Sequence, residues 1–126
     1  MSQQLPKEVR IREVGPRDGF QNEPEVIPTE EKVRLLGLLS DSGLRRIEVT
    51  SFVRPDVIPQ LADGAEVLSR YEPRDGVAYS VLIPNRRGLD LALKLLHLRG
   101  DLLLEAFRHL LGHLLIVLGQ LPGFRL

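Results

Sequence analysis

The sequence predicts an α/β fold in which parallel strands alternate with helices. Two observations favour this class: β-type and helical segments follow one another in strict alternation, and no hairpin turn joins two strands. This order requires a parallel sheet with right-handed crossovers, as in a TIM barrel or a doubly wound sheet. The 126 residues are too few for a whole eight-unit barrel, which takes about 250 residues.

The first predicted strand spans residues 9–14, where apolar and charged side chains alternate. Gly15 and Pro16 end this strand, because proline donates no backbone hydrogen bond and fixes its own φ. An adjacent cation and anion, Arg17 and Asp18, follow in the turn. The end of the first strand is therefore predicted to present both charges side by side.

The side chains of this turn can support metal-assisted chemistry. The carboxylate of Asp18 is a preferred type of ligand for a hard divalent cation, and Arg17 can hold a planar oxyanion through two hydrogen bonds. Gln21 adds an amide that can donate or accept. A charged, solvated turn is the more common use of such a pair, so the pattern by itself leaves both interpretations open.

Periodicity and turn chemistry assign the remaining elements. They are a helix from Thr29 to Ser42, a strand over residues 44–50, a helix over 57–70, a strand over 77–83 and a helix that begins at Leu89. Thr29 is expected to cap its helix, and Gly64 to weaken the middle of the next one. A second Arg-Asp-Gly sequence, at residues 74–76, has no preceding strand and is interpreted as a turn.

Two more candidate site residues follow from the predicted second strand. Glu48 falls near its C-terminal end, and in parallel α/β folds that end faces the active site. Ser51 is assigned to the loop after the strand, where its hydroxyl can donate to a substrate oxygen. The alternatives are an ordinary outward-facing carboxylate for Glu48 and a turn or capping role for Ser51.

Composition and charge exclude several function classes. Lysine plus arginine equals aspartate plus glutamate at 17 each, so the chain as a whole has no electrostatic attraction to nucleic acid or anionic membranes. The absence of cysteine excludes a disulfide framework and a thiol nucleophile. The first residues contain no apolar signal-peptide segment, so a cytoplasmic location is expected, with neither nucleic-acid nor membrane partners.

Three sequence strings carry a resemblance to a known family. They are VGPRDGFQNE at residues 14–23, IEVTSFV at residues 47–53 and Pro84-Asn85. Their order and spacing resemble the N-terminal part of hydroxymethylglutaryl-CoA (HMG-CoA) lyases, within the wider pyruvate carboxyltransferase-like group of metal-dependent TIM-barrel enzymes. The resemblance covers residues 5–94 and implies a partial (β/α)8 TIM barrel of about three βα units.

The resemblance also implies a reaction, the retro-Claisen cleavage of (S)-3-hydroxy-3-methylglutaryl-CoA to acetoacetate and acetyl-CoA in leucine degradation. A divalent ion, Mg²⁺ or Mn²⁺, held partly by Asp18 would acidify the tertiary hydroxyl of the substrate. Arg17 would hold the thioester oxygen as it gains negative charge, and Glu48 would position Arg17 or assist proton transfer. Gln21 and Ser51 are expected to contact the acyl-CoA substrate.

The resemblance ends after Lys94, and residues 95–126 form a Leu-rich tail. Polar residues recur there at helical spacing, which predicts an amphipathic helix over residues 101–118. His109 and His113 lie on one side of this helix and could bind metal, although a solvated helix face is the more frequent arrangement. The tail is interpreted either as an unrelated continuation of the chain or as a cap on the open edge of the sheet.

The ligand set that the resemblance implies is incomplete, because the sequence contains no His-x-His pair. One carboxylate is too few for a divalent cation, which prefers about six or more oxygen ligands. Weak or absent turnover is therefore expected for this chain. The alternative function is a non-catalytic barrel fragment that associates, as a homo-oligomer or with a longer partner, through its open sheet edge and Leu-rich tail.

Overall fold

A computed structural model describes residues 5–99 of the chain, with side chains through residue 95. The predictions made for the tail, namely the amphipathic helix over residues 101–118 and the pair His109 and His113, lie outside the described residues. None of the helices in the described range combines the length and the apolar character needed to span a bilayer.

The described residues form an α/β unit around two parallel strands, β1 (Arg46–Ser51) and β2 (Ala78–Leu82). The register runs from Arg46 opposite Ala78 to Ser51 opposite Leu82, with one irregularity between Glu48 and Thr50. The parallel arrangement predicted from the order of the elements is confirmed. The outer edge of β2 has no strand partner within residues 5–99. Association through this edge stays a prediction.

The predicted first strand over residues 9–14 is wrong, because only Glu13 pairs with the sheet, through an isolated parallel bridge to Ile47. The physical reason lies in the register of that bridge. A parallel strand reaching back from Glu13 to Val9 would lie opposite residues 43–46, which are mostly the turn before β1. That turn offers no continuous ladder of hydrogen bonds, and the side chain of Val9 is exposed.

Within residues 5–99, three helices and two shorter helical turns accompany the strands. They are a π-helical turn (Gly15–Gly19), α1 (Thr29–Asp41), a 3₁₀ turn (Pro59–Leu61), α2 (Gly64–Arg70) and α3 (Arg86–Arg99). Helix α1 ends as predicted, where Gly43 takes a φ of 92°. Thr29 does not cap α1, because it is already the first helical residue and its hydroxyl donates to Asp63 Oδ2 at 2.8 Å.

The prediction of one continuous helix over residues 57–70 is wrong, because α2 comprises only its last turns. Gly64 is the first residue of α2 and not a weak point in its middle. A Cβ at Gly64 would lie 2.8 Å from the hydroxyl oxygen of buried Thr50 in β1. Glycine therefore allows the start of α2 to approach the sheet closely.

The core lies between α1, β1 and α2. Its buried members are Leu36, Ile47, Val49, Val67 and Tyr71. Both faces of β1 are covered, since every residue of this strand except Arg46 is buried. A fully buried strand is typical of parallel sheets, in which helices cover the strands.

A cluster of hydroxyl groups joins α1 to β2 inside this core. Tyr71 Oη contacts Ser40 Oγ and lies 2.9 Å from Tyr79 Oη, while Ser40 Oγ donates to the Leu36 carbonyl at 2.6 Å. The pKa of Tyr71 rises to about 12, mainly because the phenol is buried; the hydrogen bond with Ser40 lowers this pKa and the one with Tyr79 raises it. The cluster is therefore built for a neutral phenol.

We expect the free energy of unfolding to fall as the pH rises from 10 to about 12, the interval between the pKa of an unperturbed tyrosine and that of folded Tyr71. Below this interval the phenol is neutral in both states and the stabilisation is complete. Within it the unfolded chain ionises first, so unfolding becomes easier by about 1 kcal/mol near pH 11. Urea titrations of the wild type and of Tyr71→Phe measure this loss. A variant that loses as much stability as the wild type would contradict the assignment to Tyr71.

Candidate functional site

The backbone of the π-helical turn fixes the position of Arg17. The Val14 carbonyl accepts hydrogen bonds from the N–H groups of Arg17 at 3.0 Å and Asp18 at 2.7 Å. Just before the turn, Glu13 donates to the Arg46 carbonyl at 2.9 Å and accepts from the Glu48 N–H at 2.8 Å. These bonds fix the position of the turn relative to β1, so the backbone of Arg17 lies near the C-terminal half of that strand.

The structure brings Arg17, Asp18 and Glu48 together. Arg17 Nε donates to Glu48 Oε1 at 2.7 Å, and Arg17 Nη1 donates to Asp18 Oδ1 at 2.8 Å. The guanidinium thus lies between a carboxylate of the turn and a carboxylate of β1. Glu48, in β1, is 31 residues away from Arg17 in the sequence. The Glu48 side chain is directed at Arg17, so the alternative of an ordinary outward-facing strand carboxylate does not describe it.

Burial makes the two ion pairs unequal. The side chains of Arg17 and Glu48 are 21% and 11% exposed, whereas that of Asp18 is 51% exposed. A pair shielded from water is screened less and is costly to break, while an exposed pair contributes little to stability. The Arg17–Glu48 pair is therefore the firm part of the cluster, and Asp18 is the part open to solvent.

Among the described residues, partners occupy two of the five N–H donors of the Arg17 guanidinium, and the other three are available for an anion. In the described part of the chain Arg17 Nη2 has no hydrogen-bond partner, and the side chain remains partly exposed. A guanidinium whose other nitrogens are already held has a defined plane and direction. It can therefore offer an oriented charge to an oxygen that gains electron density.

Gln21 and Ser51 are not drawn into this cluster. Gln21 lies in the same loop, half-buried, and makes no hydrogen bond to another described side chain. Ser51 was predicted in a loop but is the last residue of β1, because the strand extends one residue further than expected. Its hydroxyl is buried and donates to the Leu82 carbonyl at 3.2 Å, so it joins the two strands at the edge nearest to the loops.

The described residues do not form a divalent-metal site by themselves. Within residues 5–95 no three histidine, cysteine, aspartate or glutamate side chains lie close enough together to hold a metal ion. One oxygen of Asp18 is engaged by Arg17, which leaves a single carboxylate oxygen of this residue for a cation. Since a divalent cation takes about six ligands, Asp18 can be at most one member of such a set.

A function for Asn85 emerges that the sequence motifs left open. Asn85 Oδ1 accepts a hydrogen bond from the Gly88 N–H at 2.9 Å, so this residue caps the N-terminus of α3. The signal was present in the sequence, because asparagine is among the preferred capping residues and a helical segment follows it. Helix α3 begins at Arg86, directly after this cap and three residues before the predicted start.

A cavity of about 360 Å³ lies where the C-terminal end of β1 meets α2 and α3. Ser51, Ala65 and Asn85 are among the residues that line it, together with the exposed cations Arg87 and Lys94. Neither Arg17 nor Glu48 lines this cavity. The charged cluster and the cavity are thus separate features of the described surface.

Comparison with known proteins identifies HMG-CoA lyases as similar both in sequence and in structure. No protein-family model matches the chain. The sequence is 52% identical over 89 residues to the mitochondrial HMG-CoA lyase of Macaca fascicularis, and the alignment covers 71% of this chain and 27% of that protein. The crystal structure of an HMG-CoA lyase from Pseudomonas aeruginosa is similar at a TM-score of 0.68 and 50% identity, over 72% of this chain and 30% of that one.

A second solved structure adds a ligand. It is an HMG-CoA lyase from Acinetobacter baumannii in complex with coenzyme A and 3-methylmalate, with a TM-score of 0.66, 43% identity, and coverage of 68% of this chain and 28% of that one. The chain therefore spans less than a third of the length of these relatives. Over that segment the resemblance predicted from the sequence motifs is confirmed.

Proposed function

Because the chain shares about half of its aligned residues with HMG-CoA lyases, we propose that it carries the N-terminal part of an HMG-CoA lyase-like site. The observation that carries this proposal is the contact of Arg17 with both Asp18 and Glu48, three residues that the sequence motifs single out. In this proposal residues 1–94 correspond to the first part of a (β/α)8 TIM barrel, in which the isolated bridge at Glu13 takes the place of the first strand, and residues 95–126 are a divergent tail.

The proposed reaction is the cleavage of 3-hydroxy-3-methylglutaryl-CoA to acetoacetate and acetyl-CoA. The carbinol hydroxyl gives up its proton and becomes the ketone of acetoacetate, while the bond between the carbinol carbon and the thioester arm breaks. The electron pair of that bond forms an enolate on the thioester carbonyl, which takes up a proton to give acetyl-CoA. An oriented cation beside that oxygen lowers the barrier, because the charge on the oxygen grows in the transition state. Arg17 is the group that supplies this charge in the proposal, through the nitrogen that its protein partners leave open.

Glu48 is proposed to position Arg17. The sequence left two roles open for this carboxylate, positioning or proton transfer. A hydrogen bond of 2.7 Å from Arg17 Nε in a largely buried setting supports the first, because it orients the guanidinium before any ligand arrives. Gln21 and Ser51 are proposed only as more distant contacts of the acyl-CoA substrate.

A divalent cation, Mg²⁺ or Mn²⁺, remains part of the proposal through the resemblance alone. Asp18 can contribute one oxygen, and the other ligands would have to come from the substrate or from groups outside the described residues. A coenzyme A thioester is supported as the substrate class by the relative that was solved with coenzyme A. The cytoplasmic location inferred from the N-terminal residues likewise stays a proposal.

Replacing Arg17 by glutamine is expected to weaken the binding of 3-hydroxy-3-methylglutaryl-CoA by about tenfold or more, since a hydrogen bond to a charged group is lost. Isothermal titration of the 126-residue chain with this thioester in the presence of Mg²⁺ measures the change. Arg10→Gln is the matched control, because Arg10 is an exposed arginine in the segment before Glu13. Its affinity should stay close to that of the wild type.

The same preparation tests turnover. Acetoacetate formation by this chain is expected to be about a thousandfold or more below that of a complete lyase, because residues that act as a unit lose nearly all of their rate when part of the set is missing. Turnover comparable to that of a complete lyase would refute the incomplete site. Equal affinities of the Arg17 and Arg10 variants would refute the role of Arg17.

A further inference from the structure

Helix α1 contains a buried lysine that the proposed chemistry does not use. Lys32 is 3% exposed, and its ammonium donates to Asp63 Oδ1 and to the Gln60 carbonyl, both at 2.6 Å. Lysine is almost never buried unless its charge is paired, because removing an ammonium from water is costly. The position of this charge inside the fold therefore calls for an explanation beyond the solvated helix face that its sequence surroundings suggest.

The surroundings of Lys32 include the loop that follows Arg17 and Asp18. The ammonium lies 5.8 Å from the centre of the Phe20 ring, within the range of a cation–π contact. The residue whose carbonyl it binds, Gln60, also donates from its side chain to the Glu23 carbonyl at 2.9 Å. Lys32 therefore contacts one end of the segment from Phe20 to Glu23, and its partner Gln60 binds the other end.

Phe20 connects Lys32 to the candidate site through its backbone. Its backbone N–H closes the π-helical turn by donating to the carbonyls of Gly15 and Arg17. The turn in turn sets the direction in which the Arg17 side chain leaves the backbone. A displacement of Phe20 would therefore tilt the turn and lengthen the 2.7 Å bond between Arg17 Nε and Glu48 Oε1.

We propose that Lys32 is a positioning residue, which holds the loop of Phe20 so that the Arg17 guanidinium meets Glu48. The importance of this positioning for catalysis rests on the function proposed above. A purely structural lysine would only join α1 to the start of α2 through Asp63. The two roles predict different effects of removing Lys32. A positioning role predicts faster hydrogen exchange at Arg17 in particular, whereas a purely structural role predicts an equal increase throughout the fold.

The test is hydrogen exchange of the Arg17 Nε–H in the full 126-residue chain, followed by NMR. In Lys32→Met, which keeps the length of the side chain and removes its charge, this exchange should become about tenfold faster relative to the wild type. The backbone N–H of buried Phe52, which donates to the Leu82 carbonyl between the two strands, reports opening of the sheet, and its exchange should change much less. Arg34→Met is the matched control, because it removes an exposed cation from the same helix and should leave both rates unchanged.

A second variant covers the case in which Lys32→Met fails to fold. Gln60→Glu removes the donor to the Glu23 carbonyl and leaves the backbone carbonyl that Lys32 binds, and it should speed the exchange at Arg17 by about fivefold. Exchange at Arg17 that stays at the wild-type rate in a folded variant, or that rises by the same factor as at the Phe52 N–H, overturns the proposal. This readout needs no substrate, so its failure is distinct from failure of the proposed lyase function.

Discussion

Replacing Leu36 by alanine is expected to lower the free energy of unfolding by about 3 kcal/mol. Leu36 is fully buried, and it belongs to the core cluster in which α1 packs against Ile47 of β1 and Val67 of α2. Removing its side chain loses apolar burial and leaves a cavity that the surrounding sheet and helices cannot fully close. Urea denaturation followed by far-ultraviolet circular dichroism, which reports the loss of secondary structure, measures the change.

Leu38→Ala is the control for this prediction, because Leu38 lies on the same helix but is 57% exposed. A substitution on the surface should change the unfolding free energy by no more than about 0.5 kcal/mol. The contrast separates packing from helix propensity, since both variants make the same replacement within α1. Similar losses in the two variants would mean that α1 does not pack as described.

Gly88→Ala is expected to lower the free energy of unfolding by about 2 kcal/mol. A Cβ at this position would lie 2.7 Å from the Phe52 carbonyl oxygen and 3.1 Å from the Phe52 Cβ. The carbonyl belongs to the backbone, and the Phe52 N–H is held by the Leu82 carbonyl at 2.9 Å, so this segment cannot move aside without loss. The first turn of α3 would have to shift away from the end of β1.

Gly37→Ala is expected to have the opposite sign and to raise the unfolding free energy by about 0.5 to 1 kcal/mol. Gly37 lies inside α1, and a Cβ built there meets no heavy atom within 4 Å. Alanine has the higher helix propensity because it loses less backbone entropy on folding. Denaturation curves of both variants decide the matter: equal signs would contradict the close approach at Gly88.

The residues of the candidate site could be chosen from the sequence, but their contacts could not. Arg17, Asp18 and Glu48 stand in specific motifs, and the strand position of Glu48 predicted which end of the sheet it would occupy. Whether Glu48 reaches Arg17 depends on the register between Glu13 and Ile47, which is a pairing between distant segments. Lys32 could not be found at all, because a lysine on a charged first helical turn has the pattern of a solvated residue.

What the sequence by itself determined is local: the alternation of α1, β1, α2, β2 and α3, the turn at Gly43 and the adjacent charges at residues 17 and 18. Only the tertiary structure decided that residues 9–12 stay outside the sheet and that Lys32 is buried. Alternation of apolar side chains shows which face can be covered. It does not show whether another segment lies opposite to donate hydrogen bonds and to exclude water, and that is decided by packing between segments distant in the chain.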